Sequence, residues 1–348
     1  MIIPHSRPWI NAEDRESVSN SMKTHHIASG SLTLKLENKI KKFTKSSFAI
    51  AQSSGTAALI LALNTLEVGK DHEVVIPSYV CRNVLDAVHF VGANPIIADV
   101  NENGVITKES ISHLITARTG AIVAVNIFGH PCDFKKIKEL KIPIIEDACQ
   151  SFGLKINGKM SGSLGDINVL SFHATKCIST GEGGMLLTNN EDLAKKAKVL
   201  SNSTGASPVR LFNSISNMQA ALGLSQIDRF TQFINRRKEI EQIYNNIIKS
   251  LDLKKGVDKN SNLPFRYTLR ISQPIDKVMS IFKENNVIIR RGVDHLLHRA
   301  LKLRDKNFPN SIKIFNTNIS IPFYPGLSEK EVENLTNLLH KLRDHVKY

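Results

Sequence analysis

INVLSFHATKCISTGEGGMLLT, residues 167–188, is the stretch around which the rest of the chain can be interpreted. It contains an apolar run, a loop with Lys176, a glycine hairpin at 181–184 and a second apolar run. This pattern predicts two buried strands joined by a loop. A strongly hydrated ammonium is unusual between buried strands, although a single loop lysine is usually just solvated. The role of Lys176 therefore depends on its neighbours in the fold.

Length and composition describe an ordinary globular protein. The chain has 348 residues, of which 41% are hydrophobic and 22% charged, so we expect a large core and two domains. No secretory signal is evident at the N-terminus, and the apolar run at 57–63 is too short to span a bilayer. None of the four cysteines forms a C-x-x-C pair, which argues against a zinc site or a disulfide framework. We expect a reduced, cytoplasmic protein.

The net charge is +14, which would suit nucleic acid, anionic lipid or an acidic metabolite as a partner. The basic residues are scattered through amphipathic segments such as LENKIKKFTK at 36–45. We interpret them as solvated helix faces, because no nucleic-acid-binding motif accompanies them. We therefore expect neither a nucleic acid nor a membrane partner, whereas an anionic substrate is compatible with this charge.

Apolar strand patterns alternate with helical patterns through the first two thirds of the chain. Strands are predicted from Phe48 and at 74–78, 94–100, 121–127, 142–146, 167–172 and 185–188, with helices at 81–91, 108–117 and 133–140. This rhythm predicts an α/β fold with a mostly parallel sheet covered by helices. Residues 216–251 read as one long or broken helix, and the remainder mixes strands at 263–272 and 317–323 with helices at 274–286 and 328–342. We predict a large α/β domain at 1–215 and a smaller α+β domain at 216–348.

Sites in parallel sheets form where the strands end, which would bring Ser54–Thr56, Tyr79, Asp147 and Lys176 within reach of one another. Ser54, Gly55 and Thr56 lie between a predicted strand and a predicted helix. Hydroxyl groups, free N–H groups and the positive end of the helix dipole at such a turn suit a phosphate. An ordinary N-cap at a tight turn explains the same residues equally well.

Two acids follow the predicted strand in IIEDACQSFG at 144–153. A carboxylate after an apolar strand is costly unless it has a partner. Asp147 either caps the next turn or pairs with a protonated ring nitrogen. Gln150, three residues later, could offer its amide to a neighbouring oxygen.

A phosphate-binding turn, a strand-end acid and a loop lysine together form one chemical set. Pyridoxal 5′-phosphate needs its phosphate held, its ring nitrogen kept protonated and its aldehyde bound by an amine. The chain closely resembles the DegT/DnrJ/EryC1/StrS family of sugar aminotransferases, almost from end to end. The resemblance rests on the motifs SRPWINAEDRESV, SSGTAAL, VVIPSYV, FGHPCD, IEDACQSFG, GSLGD, SFHATK…GEGG, QAALGLSQID and SIPFYPGLSEKEV.

The resemblance implies the type I fold of pyridoxal-phosphate-dependent transferases, with aspartate aminotransferase-like architecture and a homodimer whose active sites lie at the subunit interface. Lys176 matches the lysine that binds the cofactor covalently and then moves the proton, and Asp147 matches the acid at the pyridine nitrogen. Gln150 matches the residue near the ring hydroxyl, and Gly55, Thr56 and Ser171 match the phosphate site. His298 matches a histidine near the substrate pocket, although a surface helix histidine is an equal alternative.

The same resemblance implies transfer of an amino group from an amino acid, usually glutamate, to a nucleotide-linked keto-sugar in surface polysaccharide or other amino-sugar biosynthesis. Three positions depart from the family pattern. Cys81 replaces the aromatic residue that stacks on the ring in many members, and His26 replaces a tryptophan. Asn213 or Ser214 would have to reach the neighbouring subunit's site, because the arginine of that segment is missing.

Two other functions remain open at this point. A sugar dehydratase of the same family replaces the lysine by histidine, so Lys176 argues against that reading. A regulatory or nucleic-acid-binding protein would not need Asp147, Gln150, Ser171 and Lys176 together. No metal is expected, because His295 and His298 have no evident third ligand.

Overall fold

The computed structural model describes residues 2–201, 214–251, 253–256, 263–272 and 274–342. The helices are α1 Ala12–Met22, α2 Ser31–Thr44, α3 Gly55–Thr65, α4 Arg82–Phe90, α5 Lys108–Ile111, α6 Phe134–Ile137, α7 Glu191–Ser201, α8 Asn217–Asp228, α9 Phe230–Ser250, α10 Ile275–Glu284, α11 Leu297–Ala300, α12 Pro309–Thr317 and α13 Glu329–Leu342. The strands are β1 Phe48–Gln52, β2 Glu73–Pro77, β3 Asn94–Ala98, β4 Thr119–Val125, β5 Ile144–Asp147, β6 Lys155–Ile156, β7 Lys159–Met160, β8 Ile167–Ser171, β9 Gly184–Thr188, β10 Lys254–Lys255, β11 Tyr267–Arg270, β12 Arg290–Arg291 and β13 Asn318–Ile321.

The main sheet has seven strands in the order β1-β9-β8-β5-β4-β2-β3. Neighbours from β8 to β3 pair in parallel, whereas β9 runs antiparallel to both β8 and β1. The predicted α/β class with a mostly parallel sheet is confirmed. Because only β9 is reversed, the carboxyl ends of the other six strands share one edge of the sheet with the first residue of β9.

Two hydrophobic clusters fill the described chain. The larger one lies between the seven-stranded sheet and its covering helices. The second lies around the antiparallel sheet β10-β11-β13-β12 and takes in Ile3 from the N-terminal segment. Phe265, Leu297 and Ile314, from the C-terminal part, pack into the larger cluster. The division at 215/216 stays a prediction.

Helix α1 begins with a capping box formed by Asn11 and Asp14. Asn11 caps α1, and the Asn11 side chain and the Asp14 side chain each accept the other residue's backbone N–H at 3.0 Å.

The predicted long helix over 216–251 is broken between α8 and α9 at Arg229, which has φ −94° and ψ 6°. The Arg229 side chain is buried and forms an ion pair with Asp14, so the break also holds the α8–α9 junction against α1.

Several predicted elements are too long. The helix predicted at 108–117 ends at Ile111, followed by a single 3₁₀ turn, because Thr116 instead forms a turn with the hydroxyl of Thr119 and donates its own hydroxyl to Glu73. The strand predicted from 142 begins at Ile144, after Pro143, which has no N–H to donate to a ladder.

Candidate active site

A cavity of about 680 Å³ lies at the edge of the sheet where β1, β5 and β8 end. Its floor comes from the large sheet and its roof from the N-terminal segment and from β12 with the loop after it. All six residues predicted to hold the cofactor line this cavity, as does Cys81: Gly55, Thr56, Asp147, Gln150, Ser171 and Lys176. Their roles stay predictions, but the structure does bring them together.

The turn after β1 is packed too tightly for side chains. A Cβ atom on Gly55 would lie 2.9 Å from the Cβ of Ser171, and one on Gly184 would lie 2.3 Å from the backbone oxygen of Ser54. Ser54 caps α3, and its hydroxyl accepts the N–H of Ala57 at 3.0 Å. The first N–H groups of α3 have no intrahelical acceptor and stand at the positive end of the helix dipole. The turn is therefore suited to a phosphate.

A second helix begins at the same wall of the cavity. Cys81 is the N-cap of α4, and Asn83 in its first turn donates from Nδ2 to Oγ1 of Thr56 at 2.9 Å. Asn83 also lines the cavity. Sequence reasoning missed Asn83, because no local pattern links it to a turn 27 residues earlier. The N-termini of α3 and α4 thus lie together at the Gly55–Thr56 turn.

Glu146 and Asp147 have different surroundings although they are adjacent. Glu146 is fully buried, and its two oxygens accept bonds of 2.7–3.0 Å from Ser161, Leu164, Asn126 and Gly162. Burial raises the pKa of Glu146, while these donors favour its charged form. Glu146 is thus the acid that holds a following turn, whereas Asp147 is 7% exposed and faces the cavity.

The residues after Asp147 complete this wall. The N–H of Cys149 donates to Oδ1 of Asp147 at 3.0 Å, which fixes the carboxylate. Burial and the nearby Asp147 raise the pKa of the Cys149 thiol, so it stays neutral. Oε1 of Gln150 accepts the N–H of Phe128 at 3.2 Å, and this leaves the Gln150 amide nitrogen as a donor.

Lys176 lies on the loop between β8 and β9, as predicted, and is half-buried. Its backbone N–H donates to the carbonyl of His173 at 2.9 Å. Its Nζ lies 5.9 Å from the centre of the Phe265 ring. The side chain lines both the main cavity and a small recess of about 20 Å³ beside it, which Arg266 also lines. The lysine amine therefore reaches the inner end of the cavity.

His298 is buried, and its predicted place near the substrate stays a prediction. It is fully buried, so the surface-histidine interpretation is wrong. Its ring bonds to Ser78 at 2.6 Å and to Asp305 at 3.0 Å and stacks on Phe308. It is not among the residues that line the cavity. His295 is exposed, and the described residues hold no cluster of three or more metal-ligating side chains.

The positions that depart from the family pattern divide into two groups. Cys81 lines the cavity, and burial raises the pKa of its thiol. His26 lies in a separate groove of about 910 Å³ formed by α1, α2, α8 and the loop between α1 and α2. Asn217 holds that loop, since its Nδ2 donates to the carbonyl of His26 at 2.8 Å. Ser214 lines neither pocket, and Asn213 lies outside the described residues.

The donor set fits pyridoxal 5′-phosphate. A turn that a Cβ would fill, with two helix N-termini beside it, suits the phosphate, and a nearly buried carboxylate suits a protonated ring nitrogen. A lysine amine lies in the same cavity. The roof adds His5, Arg266 and Arg290, which sequence reasoning missed because they come from segments far from the sheet in the chain.

Comparison with known proteins agrees with this geometry. A model of the DegT/DnrJ/EryC1/StrS aminotransferase family matches residues 8–340. The chain is 34% identical over 358 residues to the GDP-perosamine synthase of Escherichia coli O157:H7, with 95% of each chain covered. It is 28% identical to the spore coat polysaccharide biosynthesis protein SpsC of Bacillus subtilis, covering 99% of this chain and 97% of that one. The pyridoxal-phosphate form of the putative sugar aminotransferase Spr1654 from Streptococcus pneumoniae superposes with a TM-score of 0.91 at 23% identity, with 100% of both chains covered.

No helix in the described part of the chain has both the length and the apolar character needed to cross a bilayer.

Proposed function

The chain belongs to the DegT/DnrJ/EryC1/StrS aminotransferase family, whose enzymes depend on pyridoxal phosphate, and we propose that it moves an amino group from glutamate to a nucleotide-linked keto-sugar. One observation carries the proposal: Lys176, Asp147 and the Gly55–Thr56 turn line a single cavity. The relative named GDP-perosamine synthase supports a nucleotide-linked sugar as the substrate class. The relative named for spore coat polysaccharide supports a role in polysaccharide biosynthesis.

The floor of the cavity would hold the cofactor. The N–H groups of Gly55 and Thr56, with the hydroxyl of Ser171, would bind its phosphate, and the free amide donors of Gln150 would face its ring hydroxyl. Asp147 would accept a hydrogen bond from the protonated ring nitrogen with Oδ2, since Oδ1 already accepts the N–H of Cys149. When bound, pyridoxal phosphate withdraws electrons from the carbon that carries the amino group and so makes its hydrogen acidic.

The proton transfers would belong to Lys176. Its amine would bind the cofactor in the resting enzyme and, once displaced by the donor's amino group, would remove a proton from the donor carbon. The same Nζ would return that proton to the cofactor carbon. Asp147 would keep its negative charge throughout and hold the ring nitrogen protonated. The buried position of Asp147 strengthens that interaction, since water screens it little.

We also propose a homodimer in the cytoplasm. Met22, Ile27 and Leu34 are each about half exposed beside the groove that contains His26. A second copy of the chain that covers this groove would bring His26 toward a neighbouring site. Light scattering on the purified protein tests the dimer, and Ile27→Asp should produce monomers. A wild-type protein that elutes as a monomer would overturn this part of the proposal.

The two alternatives are weaker. A dehydratase of this family replaces the lysine by histidine, whereas Lys176 is present and lines the cavity. A nucleic-acid-binding role would rest on net charge alone, and it would leave the cofactor-binding set without a purpose.

The deciding experiment follows the absorbance of the purified protein with pyridoxal phosphate. Wild type should show a visible absorbance band that borohydride removes. Glutamate alone should also remove this band, because the first half-reaction converts the cofactor to its amine form. A nucleotide-linked keto-sugar should then restore it, with an amino sugar as the product. A protein that stays colourless with added cofactor would exclude the proposed function. A coloured protein that ignores glutamate but dehydrates the keto-sugar would favour the dehydratase.

A further inference from the structure

Arg266 occupies an unusual position in the roof of the cavity. It precedes β11, and its guanidinium lies 5.3 Å from the ring centre of Phe128 and 6.0 Å from that of Phe265. Its Nη1 donates to the carbonyl of Gly292 at 3.3 Å. The same side chain lines both the main cavity and the small recess that it shares with Lys176.

Arg266 has no ion-pair partner in the described part of the chain. Other arginines with limited exposure do have one: Arg229 pairs with Asp14, and Arg236 pairs with Glu329. The negative charge of Asp294 raises the pKa of Arg266, but Asp294 forms its salt bridge with Arg290. A guanidinium carries five N–H donors, and a single hydrogen bond is recorded for this one.

Leaving a cation in such surroundings costs free energy unless an anion binds it. Burial lowers the pKa of Arg266, and the nearby positive charge of Arg290 lowers it further. The buried Arg237 also has no carboxylate partner among the described residues, but it donates to the carbonyls of Phe265 and Phe323 and so has a structural role. Arg266, in contrast, lines the cavity and makes one hydrogen bond among the described residues, through Nη1.

We propose that Arg266 binds the α-carboxylate of the amino-acid donor, an assignment that rests on the proposed function. The α-carboxylate is bonded to the same carbon as the reacting amino group, so it must lie within a few ångströms of the amine. Arg266 is the candidate for this role because it and Lys176 line the same recess of about 20 Å³. A sugar ring separates the diphosphate of a nucleotide-linked substrate from the reacting carbon. An arginine fork matches a carboxylate in a bidentate manner.

The test uses the holoenzyme with Arg266→Met and Arg266→Lys, and with Arg270→Met as a control at the far end of the following strand β11, outside the cavity. Arg266→Met should raise the KM for glutamate at least about tenfold, since a charged hydrogen-bonded pair is lost. The KM for the keto-sugar should change less than threefold. Calorimetry with succinate, an unreactive dicarboxylate, should show binding to wild type and to Arg270→Met but not to Arg266→Met. Arg266→Lys should be intermediate, because it keeps the charge and loses the fork.

The outcomes separate the two proposals. If wild type does not react with glutamate, the proposed function fails. If wild type reacts and the folded Arg266 variants keep the wild-type KM for glutamate, only the assignment of Arg266 fails. If Arg266→Met loses binding of guanosine diphosphate but retains binding of succinate, the assignment of Arg266 also fails, because the anion that Arg266 binds would then be the diphosphate. If Arg266→Met does not fold, Arg266→Lys decides by the same two titrations.

Discussion

Glu146 and Asp147 are consecutive residues of β5, yet one holds a loop and the other faces the cofactor cavity. Side chains alternate between the two faces of a strand, so neighbouring carboxylates reach opposite sides of the sheet. Glu146 binds Ser161, Gly162 and Leu164, whereas Asp147 lines the cavity beside Lys176. We therefore expect Glu146 to contribute to the stability of the fold and Asp147 to contribute to the reaction.

Substitution of each acid by its amide should show this separation. Glu146→Gln places an NH₂ group among N–H donors, so we expect a loss of about 2–4 kcal/mol in unfolding free energy, measured by urea denaturation. Asp147→Asn should unfold much like wild type and lose at least about a hundredfold in kcat, because a neutral amide does not hold a proton on the ring nitrogen. Equal effects of both substitutions on stability and kcat would contradict these roles.

Lys176→Ala should lose covalent attachment of the cofactor. Borohydride reduction followed by mass spectrometry should add the cofactor's mass to the peptide that contains Lys176 in wild type and leave that peptide unmodified in the variant. The rate of amino transfer should fall by about 10²–10⁴ or more, the range for removal of a general acid–base group. Lys155→Ala, in the exposed β6 strand, is the matched control. Modification of another lysine in wild type would refute the assignment.

Gly55→Ala should weaken phosphate binding without unfolding the protein. The added Cβ would lie 2.9 Å from the Cβ of Ser171 and would push apart two groups of the phosphate site. We expect the dissociation constant of pyridoxal phosphate, followed by fluorescence, to rise at least about tenfold. Gly69→Ala is the control, since the nearest atom to its Cβ would be the carbonyl oxygen of Val91 at 3.7 Å. An unchanged constant would remove this turn from the site.

Tyr79 and Gly292 should show strong coupling. The Tyr79 hydroxyl is fully buried with no hydrogen-bond partner among the described residues, and a Cβ on Gly292 would lie 1.9 Å from it. Tyr79→Phe should therefore stabilise the fold by about 1 kcal/mol, and Gly292→Ala should destabilise it clearly. The double variant should recover part of that loss in a thermal unfolding cycle. Additive effects would mean that the two groups are not in contact.

His5 should make the protein sensitive to acid. Burial, with Arg266 and Arg290 nearby, lowers the pKa of His5 to about 3. The unfolded chain binds a proton near pH 6.5 and the folded chain does not, so stability is full above pH 6.5 and falls as the pH drops toward 3. From pH 7 to pH 5 this group should cost about 2 kcal/mol in urea unfolding. His5→Gln should lose that slope, while exposed His340→Gln should retain it.

The residues that form the floor of the cavity could be predicted from the sequence to lie close together, because they lie at strand ends. Lys176, Asp147 and the Gly55–Thr56 turn each follow an apolar run, and a parallel sheet gathers such ends at one edge. The same reasoning correctly placed Lys176 between β8 and β9. It did not state the direction of β9, which pairs antiparallel both with β8, the strand before it in the chain, and with the distant β1.

The roof could not be predicted in the same way. Arg266 lies in a segment that reads as an ordinary amphipathic strand, and His5 lies near the N-terminus, so no local signal marks either one. His298 also depends on tertiary contacts: Ser78 and Asp305 bond to its two ring nitrogens, and its place near the substrate stays a prediction. Tertiary contacts decided all three positions.

The split between floor and roof has a consequence for how such proteins diversify. We expect the floor residues to be constrained by one cofactor, so that substitutions there abolish the reaction. Ile288, Arg290 and Asp294 border the same cavity with exposed side chains, whereas Ile289, Gly292 and Val293 between them are buried. We therefore expect substitutions at the three exposed positions to change which sugar is bound while leaving the cofactor-binding residues in place.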